Sequence, residues 1–246
     1  MTASLTASAL PVLILHTGDP NDTLRARHGG YGEQLRAAAG LAPEQAEIVP
    51  VFRDGRPRDP SAYRAALITG SPAMVTDHEP WSEETAQWLR GAAAAGLPMF
   101  GVCYGHQLLA YALGGEVGDN PAGREVGTQA ITLTEAGLND ALLQGMPESF
   151  PAQTVHMQTL LRLTDDAQVL ARSAMDPHQL VRWTPTCYSA QFHPEFGPAF
   201  IREHLAYYAE PYGREGIDAQ ARAQAVGDTP QAGTLLRRFL QTCAAA

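Results

Sequence analysis

Lysine is absent from this chain. Its 17 basic side chains are all arginines, set against 26 acidic residues for a formal net charge of −9. The arginines are scattered and form no basic run, so the charge pattern gives no help in binding nucleic acid or an anionic membrane, and neither is expected as a partner. Cysteine is scarce. Cys103, Cys187 and Cys243 are too few and too far apart for a disulfide framework, and no pair has zinc-finger spacing. A reducing compartment fits free thiols, and the cytoplasm is the expected location. No apolar run approaches the roughly 20 residues needed to span a bilayer. Residues 1–10 have no basic n-region and little apolar content before Val12, so they read as a flexible tail and not as a signal peptide. There is no Gly-x-x-x-x-Gly-Lys phosphate loop, no internal repeat and no long linker. What is there is 246 residues, 45% hydrophobic, enough for one sizeable α/β domain or a domain with an appendage.

Residues 11–16 form a continuous apolar run, as expected of a strand buried on both faces, and further strands read at 46–52, with Ile48, Val49 and Val51, at 65–69 and at 98–102. Helical segments at 31–39 and 83–95 fall between them, with Gly96 suited to a C-terminal cap. Strands alternating with helices imply parallel pairing through right-handed crossovers, with ligands bound beyond the carboxyl ends of the strands. From residue 115 to 133 the pattern shifts to short antiparallel strands, and 142–150 reads as irregular. Further strands are expected at 169–173, 179–183 and 186–192, then a helix at 198–208. Leu235, Leu236, Phe239 and Leu240 have helical spacing. Packing on the domain is favoured for that segment over a contact with a second copy of the chain or with another partner.

Two stretches carry chemistry. Gly101-Val-Cys103-Tyr-Gly105 is the cysteine form of a nucleophile elbow, in which a strand stops, the backbone turns sharply and a helix begins. The flanking glycines remove side chains that would block the turn. The thiol is thereby presented at a helix N-terminus, where N–H groups and the helix dipole stabilise negative charge. Taken alone, the elbow is equally compatible with a buried structural thiol. The second stretch, Gln191-Phe-His193-Pro-Glu195, supplies a base and an orienting carboxylate two residues apart, which an extended segment places on one side.

Together the two stretches resemble the class I (triad-type) glutamine amidotransferases, which join a Gly-x-Cys-x-Gly-x-Gln elbow to a later Gln-Phe-His-Pro-Glu segment. Residues 67–72, Leu-Ile-Thr-Gly-Ser-Pro, fit the family's glycine-rich turn. The resemblance implies an α/β fold with a mostly parallel, doubly wound, flavodoxin-like sheet flanked by helices, and a small antiparallel element. It implies a domain over residues 11–209; residues 210–246 lie outside the resemblance and, from the helical spacing above, are expected to be a C-terminal helical extension packed on that domain. It implies a catalytic triad of Cys103, His193 and Glu195, an oxyanion hole from the N–H groups of Tyr104 and Ser71 at the Gly70-Ser71 turn, and substrate contacts at Gln107 and His156. No metal or cofactor is expected. His106 is expected to pack behind the elbow, and no role is assigned to the remaining histidines. The implied reaction is hydrolysis of the glutamine side-chain amide through a γ-glutamyl thioester. The expected member is stand-alone and similar to the glutaminase domain of GMP synthase, with no room for an ATP-dependent synthase. Its ammonia would then serve a separate synthetase or acceptor. A γ-glutamyl peptidase or hydrolase is the alternative, and a non-catalytic member of the fold the second alternative, against which the intact triad argues.

Overall fold

The computed structural model describes residues 10–245. The expected tail at residues 1–10 therefore lies, but for Leu10, outside the described residues. The strands are β1 (Val12–His16), β2 (Ala46–Pro50), β3 (Ala65–Ile68), β4 (Met99–Val102), β5 (Glu116–Asp119), β6 (Glu125–Leu133), β7 (Ser149–His156), β8 (Gln158–Arg162), β9 (Gln168–Arg172), β10 (Leu180–Thr184) and β11 (Cys187–Ala190). The helices are α1 (Asp22–His28), α2 (Tyr31–Ala38), α3 (Pro80–Ala94), α4 (Tyr104–Ala112), α5 (Glu135–Leu138), α6 (Pro198–Tyr207), α7 (Ala209–Arg214), α8 (Ala219–Gln224) and α9 (Leu235–Ala245).

A nine-stranded sheet runs β2-β1-β3-β4-β11-β10-β9-β6-β7. β2, β1, β3, β4 and β11 pair in parallel. From β11 onward each neighbour is antiparallel, so β10 and β6 run against the rest of a mostly parallel sheet. β5 and β8 form a separate antiparallel pair. The sequence explains the burial. In β1 every residue is buried, and alternate side chains serve opposite faces. Val12 and Ile14 join Leu67 and Phe100 in one core, while Leu13 and Leu15 join Ile68 and Met99 in the other. Helix α9 covers the first face, with the Phe239 ring 5.4 Å from Phe100 and 6.2 Å from Tyr188. Burying such a side chain contributes about 1.5–3 kcal/mol. Helices α3 and α4 cover the second face through Leu89 and Leu108. A third core gathers Phe196, Phe200 and Leu205 with Tyr212 and Ala219.

Three departures from the sequence reading follow from local chemistry. The segment expected to be irregular at 142–150 ends by entering β7, whose buried positions include the polar Gln153 and Thr154, so its hydrophobic alternation is broken. Those groups are satisfied by Thr128 and by the Gly127 and Gly227 carbonyls. Helix α3 starts at Pro80, not at 83, because proline is pre-shaped for the first helical position and has no N–H to leave unpaired. The strand expected over 46–52 stops at Pro50 and continues as a 3-10 turn, Val51–Arg53.

Candidate active site

The strand order brings the two motifs together. β3, β4 and β11 are neighbours, with Ile68 opposite Gly101 and Val102 opposite Ala190. Their carboxyl ends lead directly to the Gly70-Ser71 turn, to Cys103 and to His193. Cys103 is the single residue between β4 and α4, and its φ of 51° lies where a residue with a side chain is strained. Its N–H donates to the Ala190 carbonyl at 2.8 Å, locking the elbow to β11. Both flanking glycines are sterically required. A Cβ on Gly101 would sit 2.3 Å from the Gly105 carbonyl oxygen, and one on Gly105 would sit 2.6 Å from that of Ile68. The Cys103 thiol lies 3.5 Å from the Val155 carbonyl oxygen at the end of β7.

His193 Nδ1 lies 2.8 Å from Glu195 Oε1, and both side chains are buried. The Phe196 ring stacks on the imidazole at 4.1 Å and 12°, which fixes the ring plane. The His193 N–H donates to the Gln153 carbonyl at 2.8 Å, so β7 holds the segment from its far side. Burial alone would lower the imidazole pKa. The Glu195 carboxylate and the Cys103 sulfur outweigh it and raise the pKa from 6.5 to about 10. Both partners thus favour the charged imidazolium over the neutral ring. Glu195 Oε2 is buried without a partner among the described residues.

The turn after β3 is held from β1. Thr17 Oγ1 lies 2.9 Å from the Gly70 carbonyl oxygen, and Ser71 Oγ donates to the Thr17 carbonyl at 2.8 Å. Gly18 lets the chains approach: a Cβ there would lie 2.5 Å from Ser71 Oγ. Gly70 faces the reactive pair, since a Cβ on it would meet His193 Cε1 at 3.0 Å and Cys103 Cβ at 3.6 Å. Among the described residues, neither the Ser71 N–H nor the Tyr104 N–H donates to another backbone group. The Tyr104 side chain faces away and hydrogen bonds Ser82 Oγ at 2.6 Å.

Gln107 and His156 both line the cavity around Cys103. The Gln107 Nε2 group donates to the Gln158 carbonyl at 2.8 Å and to Gln191 Oε1 at 3.0 Å, leaving its own carbonyl oxygen for a ligand. The His156 imidazole is turned inward. Nε2 lies 2.9 Å from Glu125 Oε2 and Nδ1 lies 3.0 Å from the Gln158 carbonyl oxygen, so both ring nitrogens are taken. What His156 offers a ligand is its backbone. His106 is buried behind the elbow, 2.7 Å from Ser189 Oγ, with its pKa pushed down to about 3 by burial and by His178 and His156.

The cavity has a volume of about 360 Å³. Its outer wall was not foreseen in the sequence. Tyr31, Arg124, Tyr208, Tyr212 and Glu215 come from the start of α2, the loop before β6, and α7 with its flanks. Arg124 donates through Nε and Nη2 to both carboxylate oxygens of Glu215, at 2.7 and 3.0 Å. Tyr212 OH lies 2.6 Å from His204 Nε2. His204, given no role from sequence, also faces this cavity. Only the run of aromatic and histidine residues between 192 and 212 hinted at such a wall, and helical spacing there reads equally well as core.

Residues 30–205 match the family model described as glutamine amidotransferase class-I. The chain is similar to a GMP synthase [glutamine-hydrolyzing] of Aeropyrum pernix, 32% identical over 152 residues, covering 62% of this chain and 26% of that protein. It is 30% identical over 182 residues to a GMP synthase [glutamine-hydrolyzing] subunit of Methanopyrus kandleri, covering 71% of this chain and 91% of that one. A gamma-glutamyl-L-1-hydroxyisopropylamide hydrolase of a Pseudomonas species is 29% identical over 177 residues, covering 67% and 60%. The chain thus spans about a quarter to a third of the length of the first GMP synthases it matches. A glutamine amidotransferase structure from Thermotoga maritima superposes with a TM-score of 0.77 at 17% identity, covering 98% of this chain and 100% of that one, which shows the shared fold.

Proposed function

The chain belongs to the class I glutamine amidotransferases, and from that premise we propose that Cys103, His193 and Glu195 are its catalytic triad, hydrolysing the side-chain amide of glutamine through a γ-glutamyl thioester. The observation that carries the reading is the buried 2.8 Å His193–Glu195 pair beside a thiol held at a strained elbow. Because Glu195 occupies Nδ1, Nε2 is left to serve the sulfur. His193 takes or already holds the thiol proton. Sγ bonds to the amide carbon, and the oxyanion is received by the N–H groups of Tyr104 and Ser71. Collapse breaks the C–N bond, and His193 gives its proton to the departing ammonia. Water then attacks the thioester, His193 takes its proton, and glutamate leaves as the thiol is restored. Glu195 holds the imidazole orientation and stabilises its charged form. Gln107 and the backbone at His156 hold the glutamyl part.

In this reading residues 11–209 are the amidotransferase domain and 210–246 a helical extension packed on it, which adds Tyr212 and Glu215 to the cavity wall. A synthetase or other acceptor of the ammonia is the proposed partner, in keeping with the Methanopyrus relative, whose name makes it one component of a GMP synthase. The test is ammonia and glutamate release from glutamine by the purified chain, with Cys103→Ala as the blank. Release that survives in Cys103→Ala eliminates the covalent mechanism. No release, with Cys103 nevertheless alkylated by a glutamine-like chloroketone, assigns the chain to glutaminases that wait for a synthetase.

A further inference from the structure

We propose that Arg124 and Glu215 form a receptor for the free amino-acid head of glutamine, Arg124 taking its α-carboxylate and Glu215 its α-ammonium group. The proposal rests on the glutaminase reading above and names specificity residues of that same site.

Charge is the first argument. Among the residues lining the cavity around Cys103, Arg124 and Glu215 are the ones with an arginine or a carboxylate side chain. They offer one charge of each sign, the complement of the head of free glutamine. Arg124 keeps the Glu215 carboxyl below the usual carboxylate range, so both charges are present at neutral pH. The two do not exhaust one another. Arg124 donates to Glu215 through Nε and Nη2, and its Nη1 has no partner among the described residues. Each Glu215 oxygen accepts one of these bonds and has capacity for another. The ligand's charged groups therefore join the pair without breaking it. The guanidinium also lies 5.3 Å from the centre of the Tyr212 ring, which holds it in place. A partly exposed ion pair contributes little to stability. A two-bond pair backed by a ring in the wall of this cavity is better explained by what it receives.

Position is the second argument. The reacting end of the substrate is fixed at Sγ, and the Val155 carbonyl oxygen lies 3.5 Å from that sulfur. In the β6–β7 ladder Val126 stands opposite Val155 and Glu125 opposite His156, so one step further Arg124 comes level with Met157. Opposite residues share a face and successive residues alternate. Arg124 and Met157 therefore share the face of Val126 and Val155, away from the Glu125–His156 pair. Val126 and Val155 pack with Tyr212 on that face. The two residues of strand from Val155 to Met157 span about 7 Å. In glutamine, four carbon–carbon bonds of about 1.5 Å each separate the amide carbon from the carboxylate carbon. A side chain laid along this strand end, with its amide carbon at the thiol, brings its head to Arg124 and so to Glu215. Glu215 lies beyond residue 205, where the family match ends, so half of the receptor comes from the C-terminal extension.

The test is calorimetric binding of three amides to Cys103→Ala: glutamine, glutaramate, which lacks the α-ammonium group, and 4-aminobutanamide, which lacks the α-carboxylate. Glutamine should bind about tenfold tighter than either. Adding Arg124→Met should lower the glutamine-to-4-aminobutanamide affinity ratio by about tenfold, and Arg124→Lys should lower it less, since the charge is kept and the planar fork lost. Adding Glu215→Gln should lower the glutamine-to-glutaramate ratio by about as much. A merely structural role would weaken all three amides alike, and both ratios unmoved would overturn the proposal. Glutamate release from glutamine by the wild type separates this outcome from the hydrolytic reading. Turnover with unmoved ratios sinks the receptor alone. Shifted ratios with neither turnover nor alkylation of Cys103 by the chloroketone would uphold the receptor and sink the glutaminase reading.

Discussion

Replacing Glu195 with glutamine keeps the side chain's shape and removes the carboxylate that faces His193. The structure says what this should cost. The two side chains are buried, their atoms are 2.8 Å apart, and Phe196 holds the ring against reorientation. Burial works against a charged imidazole, and Glu195 is the largest of the effects that raise it to about 10. A hydrogen bond to a charged partner contributes roughly 1.5–3 kcal/mol. At about 1.4 kcal/mol per factor of ten, its loss should lower kcat by about 10- to 100-fold. The direction of the pH effect is also fixed. Without the carboxylate the imidazolium loses its proton at lower pH, so the alkaline limb of the pH–kcat/KM profile must move down. The assay is glutamate release from pH 6 to 11 for both proteins. A Glu195→Gln enzyme within about threefold of wild-type kcat, with an unmoved alkaline limb, would refute the assigned role of the pair.

The same pair makes stability depend on pH. Because the His193 pKa is raised from 6.5 to about 10 on folding, its contribution is complete below about pH 6.5 and lost as pH rises through about 10. Urea unfolding should therefore show wild-type stability falling by a few kcal/mol from pH 6 to 10; a His193→Gln profile parallel to wild type would contradict this. At the elbow, Cys103→Ala and Cys103→Gly should both abolish turnover. The φ of 51° should make the glycine variant the more stable of the two by about 1 kcal/mol, and a lower melting temperature for Cys103→Gly would count against strain there. Gly18→Ala lies far from the thiol in sequence, but its Cβ would press on Ser71 Oγ and Pro72. It should lower kcat by about tenfold more than it raises KM, because the disturbed turn serves the transition state. Equal effects on kcat/KM through KM alone would remove Ser71 from the oxyanion role.

Much of the parallel half of the fold was legible because β1, β3 and β4 are short, fully buried apolar runs, and because the two motifs are local patterns of residue type. What escaped had a physical reason in each case. The β7 strand hides behind Gln153 and Thr154, polar residues whose burial is intelligible only once Thr128 and the Gly227 carbonyl stand beside them. The inward turn of His156 depends on Glu125, more than thirty residues away, and no local pattern announces that pairing. Tyr31, Arg124, Tyr208 and Tyr212 converge on the thiol through tertiary packing of α2, α6 and α7. At the level of spacing they are indistinguishable from ordinary core and surface residues.

The position of β11 has a consequence for how the chain matures. It is the last strand in sequence, yet it lies in the interior of the sheet between β4 and β10. During synthesis the edges of β4 and β10 must wait unpaired until residues 187–190 arrive and insert between them, a late and non-local closure of the kind that slows folding. The same insertion clamps the Cys103 N–H and carries His193 to the thiol. Under the proposed mechanism, a nascent or truncated chain therefore holds a cysteine without its base. Completion of the sheet and activation of the thiol are one event, so a half-made copy has no means of consuming its substrate.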